Sequence, residues 1–178
     1  SFMNAAQMNP EGFRSFLKKL EDQELLPASQ QSEYIRTHPI TANRIENVST
    51  KIEASPYFDQ DLPKEWDEQH ARMKAKLVAF LTPNRVLYDY PDSNTSVAAR
   101  YARAIAAYRF NKFETARAIM HGLIKEEPNN PYFHELLGQI ERDGGDIEAA
   151  IQSYGRADDL LPNNALIKTA LAHSYLEA

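Results

Sequence analysis

Residues 97–130 read VAARYARAIAAYRFNKFETARAIMHGLIKEEPNN, and residues 131–164 read PYFHELLGQIERDGGDIEAAIQSYGRADDLLPNN. Both segments are 34 residues long, and both end on Pro-Asn-Asn. Residues of the same kind recur at this shift: Pro128 with Pro162, Ala104 with Gly138, Ala116 with Ala150, and Phe113 with Ile147. A fixed period in this range indicates a stack of similar structural units.

Each unit is predicted to be a helical hairpin. The turns fall at residues 110–112 and 143–145, and Ser96 and Asp146 are suited to cap the helices that follow them. Small residues facing the partner helix allow two antiparallel helices to approach closely. The proline at the end of each unit stops the second helix, because it cannot continue the backbone hydrogen-bond ladder.

This arrangement of small, aromatic and proline positions resembles the tetratricopeptide repeat (TPR). The second unit matches closely, whereas the first has Met120 where an aromatic residue is common and Leu123 where Ala is common. Residues 165–178 begin a third unit and end after one helix, with Ala172 at the small-residue position. The predicted fold is all-α: a short TPR-type helical-hairpin solenoid of about two and a half repeats, preceded by an irregular helical segment.

Three regions are predicted: residues 1–62, residues 63–96 and the TPR domain at 97–178. In the first, Asn9-Pro10 opens a helix, and a second helix follows Pro39; their predicted apolar faces are Phe13, Phe16, Leu17 and Leu20, and Ile45, Val48 and Ile52.

The middle region contains a predicted helix after Pro63, which we expect to pack as a cap on the outer face of the first repeat. Its apolar stripe comprises Trp66, Met73, Leu77, Phe80 and Leu81. Residues 86–90 could form a short strand, but Pro91 follows them, so we interpret them as a packed connector to Ser96.

Composition excludes several kinds of site. Twenty Lys and Arg against 25 Asp and Glu give a net charge of −5, which argues against a nucleic-acid surface. No apolar run is long enough to span a bilayer, and the absence of Cys excludes thiolate zinc sites and a Cys nucleophile.

No catalytic centre, metal site or cofactor site is predicted. In an HExxH helix, two His residues at i and i+4 bind zinc, but here Gly138 follows His134 at that spacing. The remaining candidates, His70, His121 and His173, are too scattered for a ligand set.

Three segments, in order, resemble one family of bacterial zinc metallopeptidases, peptidase family forty-eight. Residues 9–13 read Asn-Pro-Glu-Gly-Phe, residues 37–44 read Thr-His-Pro-Ile-Thr-Ala-Asn-Arg, and residues 129–135 read Asn-Asn-Pro-Tyr-Phe-His-Glu. The resemblance implies that this chain is the C-terminal, TPR-containing part of a larger periplasmic protease. The zinc and the HExxH helix of that parent would lie upstream of Ser1, where we expect further chain.

The resemblance draws attention to His38 and Arg44. One hypothesis places His38 at the zinc cleft of the parent enzyme, as an extra metal ligand or a substrate contact, because a neutral imidazole can ligate zinc. The other is structural, with His38 capping the following helix and Arg44 holding it in place.

The first helix of each TPR unit is expected to line a groove that binds protein or peptide. The principal predicted groove residues are Tyr101, Ile105, Tyr108, Arg109, Tyr132, Glu135, Gln139 and Arg142. The flanking members are Ala98, Asp143, Leu166, Thr169 and His173. An alternative remains equally open: these residues cover a neighbouring helix, or the tyrosines contact the N-terminal segment of the same chain.

The predicted function is therefore a non-catalytic protein-interaction region of a zinc-dependent protease. The resemblance implies misassembled envelope proteins as substrates, with the parent catalytic domain and outer-membrane assembly machinery as partners. The alternative is a freestanding TPR adaptor with no protease attached. We also consider self-association through an apolar face of the last helix, formed by Leu166, Ala170 and Leu171.

Overall fold

The computed structural model describes residues 2–25, 29 and 42–178, and its contacts divide the chain into two units, residues 1–64 and 65–178. All regular elements in these described ranges are helices. This confirms the predicted all-α class.

The described part of the first unit contains three helices. They are α1 (Phe2–Ala5), α2 (Glu11–Glu24) and α3 (Ala42–Glu53). Asn9 caps α2, since its Oδ1 accepts a hydrogen bond of 2.9 Å from the Glu11 backbone N–H. Leu17 of α2 and Ile45 of α3 are buried together, which confirms part of each predicted apolar face. Phe13, in contrast, is about half exposed.

The second unit begins in the next helix and runs to the end of the chain. Its helices are α4 (Lys64–Leu81), α5 (Val86–Asp89), α6 (Val97–Arg109), α7 (Phe113–Glu126), α8 (Pro131–Asp143), α9 (Ile147–Leu160) and α10 (Ala165–Glu177). Helices α6 and α7 form the first hairpin, and α8 and α9 form the second. These boundaries match the repeat predicted from the sequence.

Both predicted caps are present. The Ser96 hydroxyl accepts from the Ala99 N–H at 3.3 Å, and the Asp146 carboxylate accepts from the Ala149 N–H at 3.2 Å. Helix α10 begins in the same way, with Asn164 accepting from the N–H of Leu166 at 3.1 Å. Polar side chains thus satisfy N–H groups that have no partner within the helix.

The hairpin turns also repeat. Asn111 and Gly145, which align at the repeat shift, have φ values of +57° and +88°. Asn and Gly are the residues that adopt this left-handed conformation most readily. Each turn therefore reverses the chain with the same backbone geometry, although its residues differ.

Small residues allow the helices of each hairpin to pack closely. Ala104, Ala116 and Ala150 are fully buried, and Gly138 is also buried. A Cβ atom added at Gly138 would lie 2.9 Å from Cγ of Tyr154 in the facing helix, so no larger residue fits without movement. The predicted packing role of these positions is confirmed.

Helix α4 packs differently from the prediction. Ala75 and Ala79 are fully buried in the core of the repeats, while Met73 and Leu77 are 56% and 55% exposed. The prediction that large apolar residues form its packing face was therefore wrong, except for the half-buried Phe80. The small side chains of Ala75 and Ala79, rather than the large apolar ones, therefore lie on the buried side of α4.

The connector after α4 contains no strand. Residues 83–85 form a 3-10 turn and α5 follows it, with Val86 fully buried. The guanidinium of Arg103 donates hydrogen bonds to the carbonyls of Tyr90, Pro91 and Asn94 at 3.2, 2.8 and 3.0 Å. These bonds attach the irregular backbone of the connector to α6.

Candidate protein-binding groove

The first helices of the two repeats, α6 and α8, meet through side chains on one shared face. The rings of Tyr101 and Phe133 lie 5.3 Å apart between their centroids. Farther along, Gln139 donates a hydrogen bond of 3.1 Å to the Tyr108 hydroxyl, which itself donates to the Asp143 carboxylate. This is the face that the TPR register predicts as a groove.

Helix α4 of the same chain covers the first-repeat part of this face. Tyr101 is 3% exposed and Ile105 is fully buried, in one core cluster with Ala75 and Ala79 of α4. The ring of Phe80 packs edge-on against Tyr108, with centroids 6.3 Å apart. Two of the predicted groove residues are thus inaccessible in this arrangement.

Ion pairs join α4 to both repeats. The Lys76 ammonium lies 3.3 Å from the Glu135 carboxylate of α8 in the second repeat, and the Arg72 guanidinium lies 2.8 Å from the Glu127 carboxylate at the end of the first. We expected this helix on the outer face of the first repeat; instead it lies across the face shared by α6 and α8. The physical reason is that Tyr101 and Ile105 offer apolar surface there for burial.

The remaining predicted groove residues are partly or fully accessible. Tyr132 is about half exposed, Gln139 is half-buried, and Arg142 forms an ion pair of 3.1 Å with Asp143. Arg109 is exposed and borders a small pocket beside Tyr108. The predicted residues of α10 are also exposed: Leu166, Thr169 and His173.

Burial controls the ionisation of the tyrosines on this face. Desolvation, followed by the hydrogen bond to Asp143, raises the pKa of Tyr108 to about 12. Desolvation is also the main cause that raises the pKa of Tyr101. A phenol is neutral at physiological pH even with its ordinary pKa, and these shifts keep both hydroxyls protonated, as hydrogen-bond donors, to still higher pH.

A cleft of about 890 Å³ opens between α4 and the junction of the two repeats. Tyr101 and Phe133 line it from the repeats, and Arg72, Met73 and Lys76 line it from α4. The register of the repeats does not determine where α4 lies, so the sequence alone does not predict this cleft. The only sequence signal was the recurring Pro-Asn-Asn junction, whose first copy borders the cleft.

The described residues do not fit a zinc site. They contain no cluster of three or more His, Asp or Glu side chains that could hold a metal. Nε2 of His134 lies 2.9 Å from the carbonyl oxygen of Pro128, so this imidazole takes part in a local contact. His38 lies outside the described residues, and Arg44 is described only as part of the backbone of α3.

Comparison with known proteins agrees with the repeat. Residues 101–165 match the tetratricopeptide repeat family. Over 178 residues the chain is 26% identical to beta-barrel assembly-enhancing protease from Escherichia coli K12, covering 95% of this chain and 35% of the relative. The protein of that name from Yersinia pestis is 24% identical over 180 residues, with the same coverage. No solved structure matches the chain.

The chain resembles beta-barrel assembly-enhancing protease. It spans about a third of the length of these curated relatives, which is consistent with a C-terminal repeat-containing part. The TPR match and this similarity support a role in protein interaction. Among the described residues, no helix is long and apolar enough to cross a membrane.

Proposed function

We propose that this chain is the non-catalytic, protein-binding TPR region of a zinc-dependent protease that acts on misassembled envelope proteins. One observation carries the proposal: similarity to beta-barrel assembly-enhancing protease extends over 95% of the chain but only 35% of that relative. The repeats would present substrate to a catalytic domain elsewhere in the parent, or dock the parent to outer-membrane assembly machinery. The periplasm is the corresponding compartment.

The binding role can be tested with an unfolded barrel protein. The purified chain is mixed with a urea-unfolded outer-membrane β-barrel protein as the urea is diluted, and complexes are measured by cross-linking and light scattering. We expect the chain to bind the unfolded protein and to slow its aggregation. The same barrel protein folded in detergent is the control, since its apolar surface is already covered. Equal binding of both forms, or of neither, would contradict the proposal.

The place of the chain in a protease requires a separate test. The coding sequence upstream of Ser1 should encode an HExxH helix within roughly 150 residues, about one domain length. A start codon immediately before Ser1 would instead favour the freestanding adaptor. Metal analysis and a casein digestion assay on the isolated chain address the remaining possibility of intrinsic hydrolysis; we expect neither bound zinc nor cleavage.

His38 remains a prediction about the parent enzyme. If it reaches the zinc cleft, His38→Ala in the protein with its catalytic domain changes proteolysis while leaving TPR folding unchanged. Unaltered proteolysis would favour the structural role, in which His38 caps the helix and Arg44 holds it. Circular dichroism of the same variant supplies the folding control.

A further inference from the structure

The cleft between α4 and the repeat junction is lined by a tyrosine whose buried hydroxyl has no hydrogen-bond partner among the described residues. Tyr101 lines the cleft, and its hydroxyl makes no hydrogen bond to any described residue. A buried polar group in this state is unfavourable, and such groups are rare in folded proteins. The hydroxyl can therefore gain a favourable hydrogen bond from a group that reaches it.

The charges around the cleft are balanced within the protein. Arg72 donates two hydrogen bonds to the two carboxylate oxygens of Glu127, at 3.1 and 2.8 Å, and Lys76 is paired with Glu135. A charged ligand would have to separate one of these pairs, or bring an uncompensated charge into a partly buried site. This balance favours an uncharged ligand.

Two large side chains form an accessible apolar surface at the cleft. Met73 on α4 is 56% exposed, Tyr132 at the start of α8 is 51% exposed, and both line the cleft. Methionine adapts its shape to different apolar partners, while tyrosine offers a broad ring with few rotatable bonds. The cleft volume lies within the range of roughly 300–1,000 Å³ typical of ligand sites.

We propose that this cleft binds an uncharged, extended segment of polypeptide. One large apolar side chain of the segment packs between Met73 and Tyr132, and one backbone carbonyl accepts a hydrogen bond from the Tyr101 hydroxyl. The hydroxyl is covered in the structure, so side chains at the cleft shift as the segment enters. The proposal rests on the protein-binding function above and gives it a specific site and ligand chemistry.

Capped peptides are suitable probes for this site. The probe is an N-acetylated, C-amidated peptide of Ser and Gly with one central Phe, titrated into the isotope-labelled 178-residue chain and followed by NMR. We expect saturable shifts at residues lining the cleft. Replacing the central Phe with Ala, Glu or Lys should weaken binding. Binding of the Glu or Lys peptide as tightly as the Phe peptide would overturn the proposal, as would the absence of saturable binding.

Tyr101→Phe removes only the hydroxyl, so a loss of peptide binding in this variant can be distinguished from a loss of folding. Because the hydroxyl makes no hydrogen bond within the part of the chain that the structure describes, the melting temperature should not fall. Peptide affinity should fall about fivefold, as expected for one neutral hydrogen bond. Unchanged affinity would overturn the proposed contact. Tyr132→Ser should also weaken binding, and Tyr175→Ser, at an exposed site on α10, is the matched control that should not.

The two proposals can fail separately. If Tyr101→Phe and Tyr132→Ser still capture the unfolded barrel protein as well as the unsubstituted chain does, and the capped peptide does not bind, the cleft proposal is wrong and the protein-binding function stands. If neither the peptide nor the unfolded barrel protein binds, both are wrong.

Discussion

The two repeats carry different residues on the face shared by α6 and α8. These residues determine which part of the face is accessible and which part is buried. Tyr101 and Ile105 in the first repeat align with Glu135 and Gln139 in the second. The first pair is buried beneath α4, whereas the second pair is only half-buried. The repeat register therefore identifies the face that the predicted groove residues share. How apolar the side chains on that face are determines whether α4 covers them.

Contacts with α4 follow the same division. Over the first repeat they include apolar packing of the buried Ala75 and Ala79, together with the ion pair of Arg72 with Glu127. Toward the second repeat they include the ion pair of Lys76 with Glu135, whose side chains remain partly accessible. Since exposed or partly exposed ion pairs contribute little, α4 is expected to be held chiefly by the first repeat.

The largest expected difference comes from truncating equivalent groove positions. Ile105→Ala removes a fully buried side chain beneath α4 and should lower the free energy of unfolding by about 3 kcal/mol. Gln139→Ala removes a half-buried side chain and its hydrogen bond to Tyr108, with a loss below about 1 kcal/mol. Urea denaturation measures both, and equal losses would show that α4 does not distinguish the repeats.

A second comparison concerns the close-packed position of each hairpin. Ala104 occupies it in the first repeat beside Met120, while Gly138 occupies it in the second against Tyr154. Gly138→Ala should destabilise the chain by about 1–3 kcal/mol, because the added Cβ meets the buried tyrosine ring.

Tyr154→Met tests this explanation by giving the second repeat the residue found in the first. Thermal and urea unfolding should show that Gly138→Ala lowers the free energy of unfolding less in the Tyr154→Met background than in the unsubstituted chain. Additive losses in the double-mutant cycle would contradict the steric explanation.

A smaller effect is expected at the ion pair joining α4 to the second repeat. A double-mutant cycle with Lys76→Ala and Glu135→Ala should give a coupling of about 0.2–1 kcal/mol that decreases in high salt. Unfolding in urea at two salt concentrations measures it. A coupling several times larger, insensitive to salt, would mean that the second repeat holds α4 as firmly as the first.

The smallest effect concerns pH. Glu141 aligns with Ala107, and both are buried. Desolvation raises the pKa of Glu141, although a hydrogen bond from Ser153 opposes this effect. Because the folded-state pKa is above the unfolded value, the free energy of unfolding should fall as pH rises from the ordinary Glu pKa through the raised one.

Glu141→Gln should remove this decrease in the free energy of unfolding with rising pH, because the amide cannot ionise. Its oxygen can still accept the hydrogen bond from Ser153. Unfolding free energies measured across the acidic pH range test the change. Glu148→Gln, at an exposed position on α9, is the control. An unaltered pH profile in the Glu141→Gln variant would contradict the desolvation argument.

Local chemistry in the sequence predicted the repeats well. Ser96 and Asp146 were recognised as caps because short oxygen-bearing side chains satisfy the free N–H groups of a helix start, and both make those bonds. Gly138 was recognised as a packing residue because its small size recurs at the repeat shift. Such features depend on residues that are close in the sequence or separated by one repeat of 34 residues.

Features that depend on distant contacts were missed. The large apolar stripe of α4 suggested a packing face, but Ala75 and Ala79 form that face instead. Residues 86–90 were interpreted as a packed connector, and the fully buried Val86 agrees with this, although it also begins a short helix that was not predicted. In α4, tertiary packing outweighed the local pattern, because burial against particular neighbours contributes more than intrinsic preference.

The sequence by itself determined the repeat, its approximate helix boundaries and the face that the predicted groove residues share. These follow from a period of 34 residues, from proline and capping positions, and from small side chains at helix contacts. The tertiary structure alone decided that α4 covers Tyr101 and Ile105 and leaves a cleft beside them. The reason is that a helix docks where its apolar surface fits another, a condition set by shapes far apart in the chain.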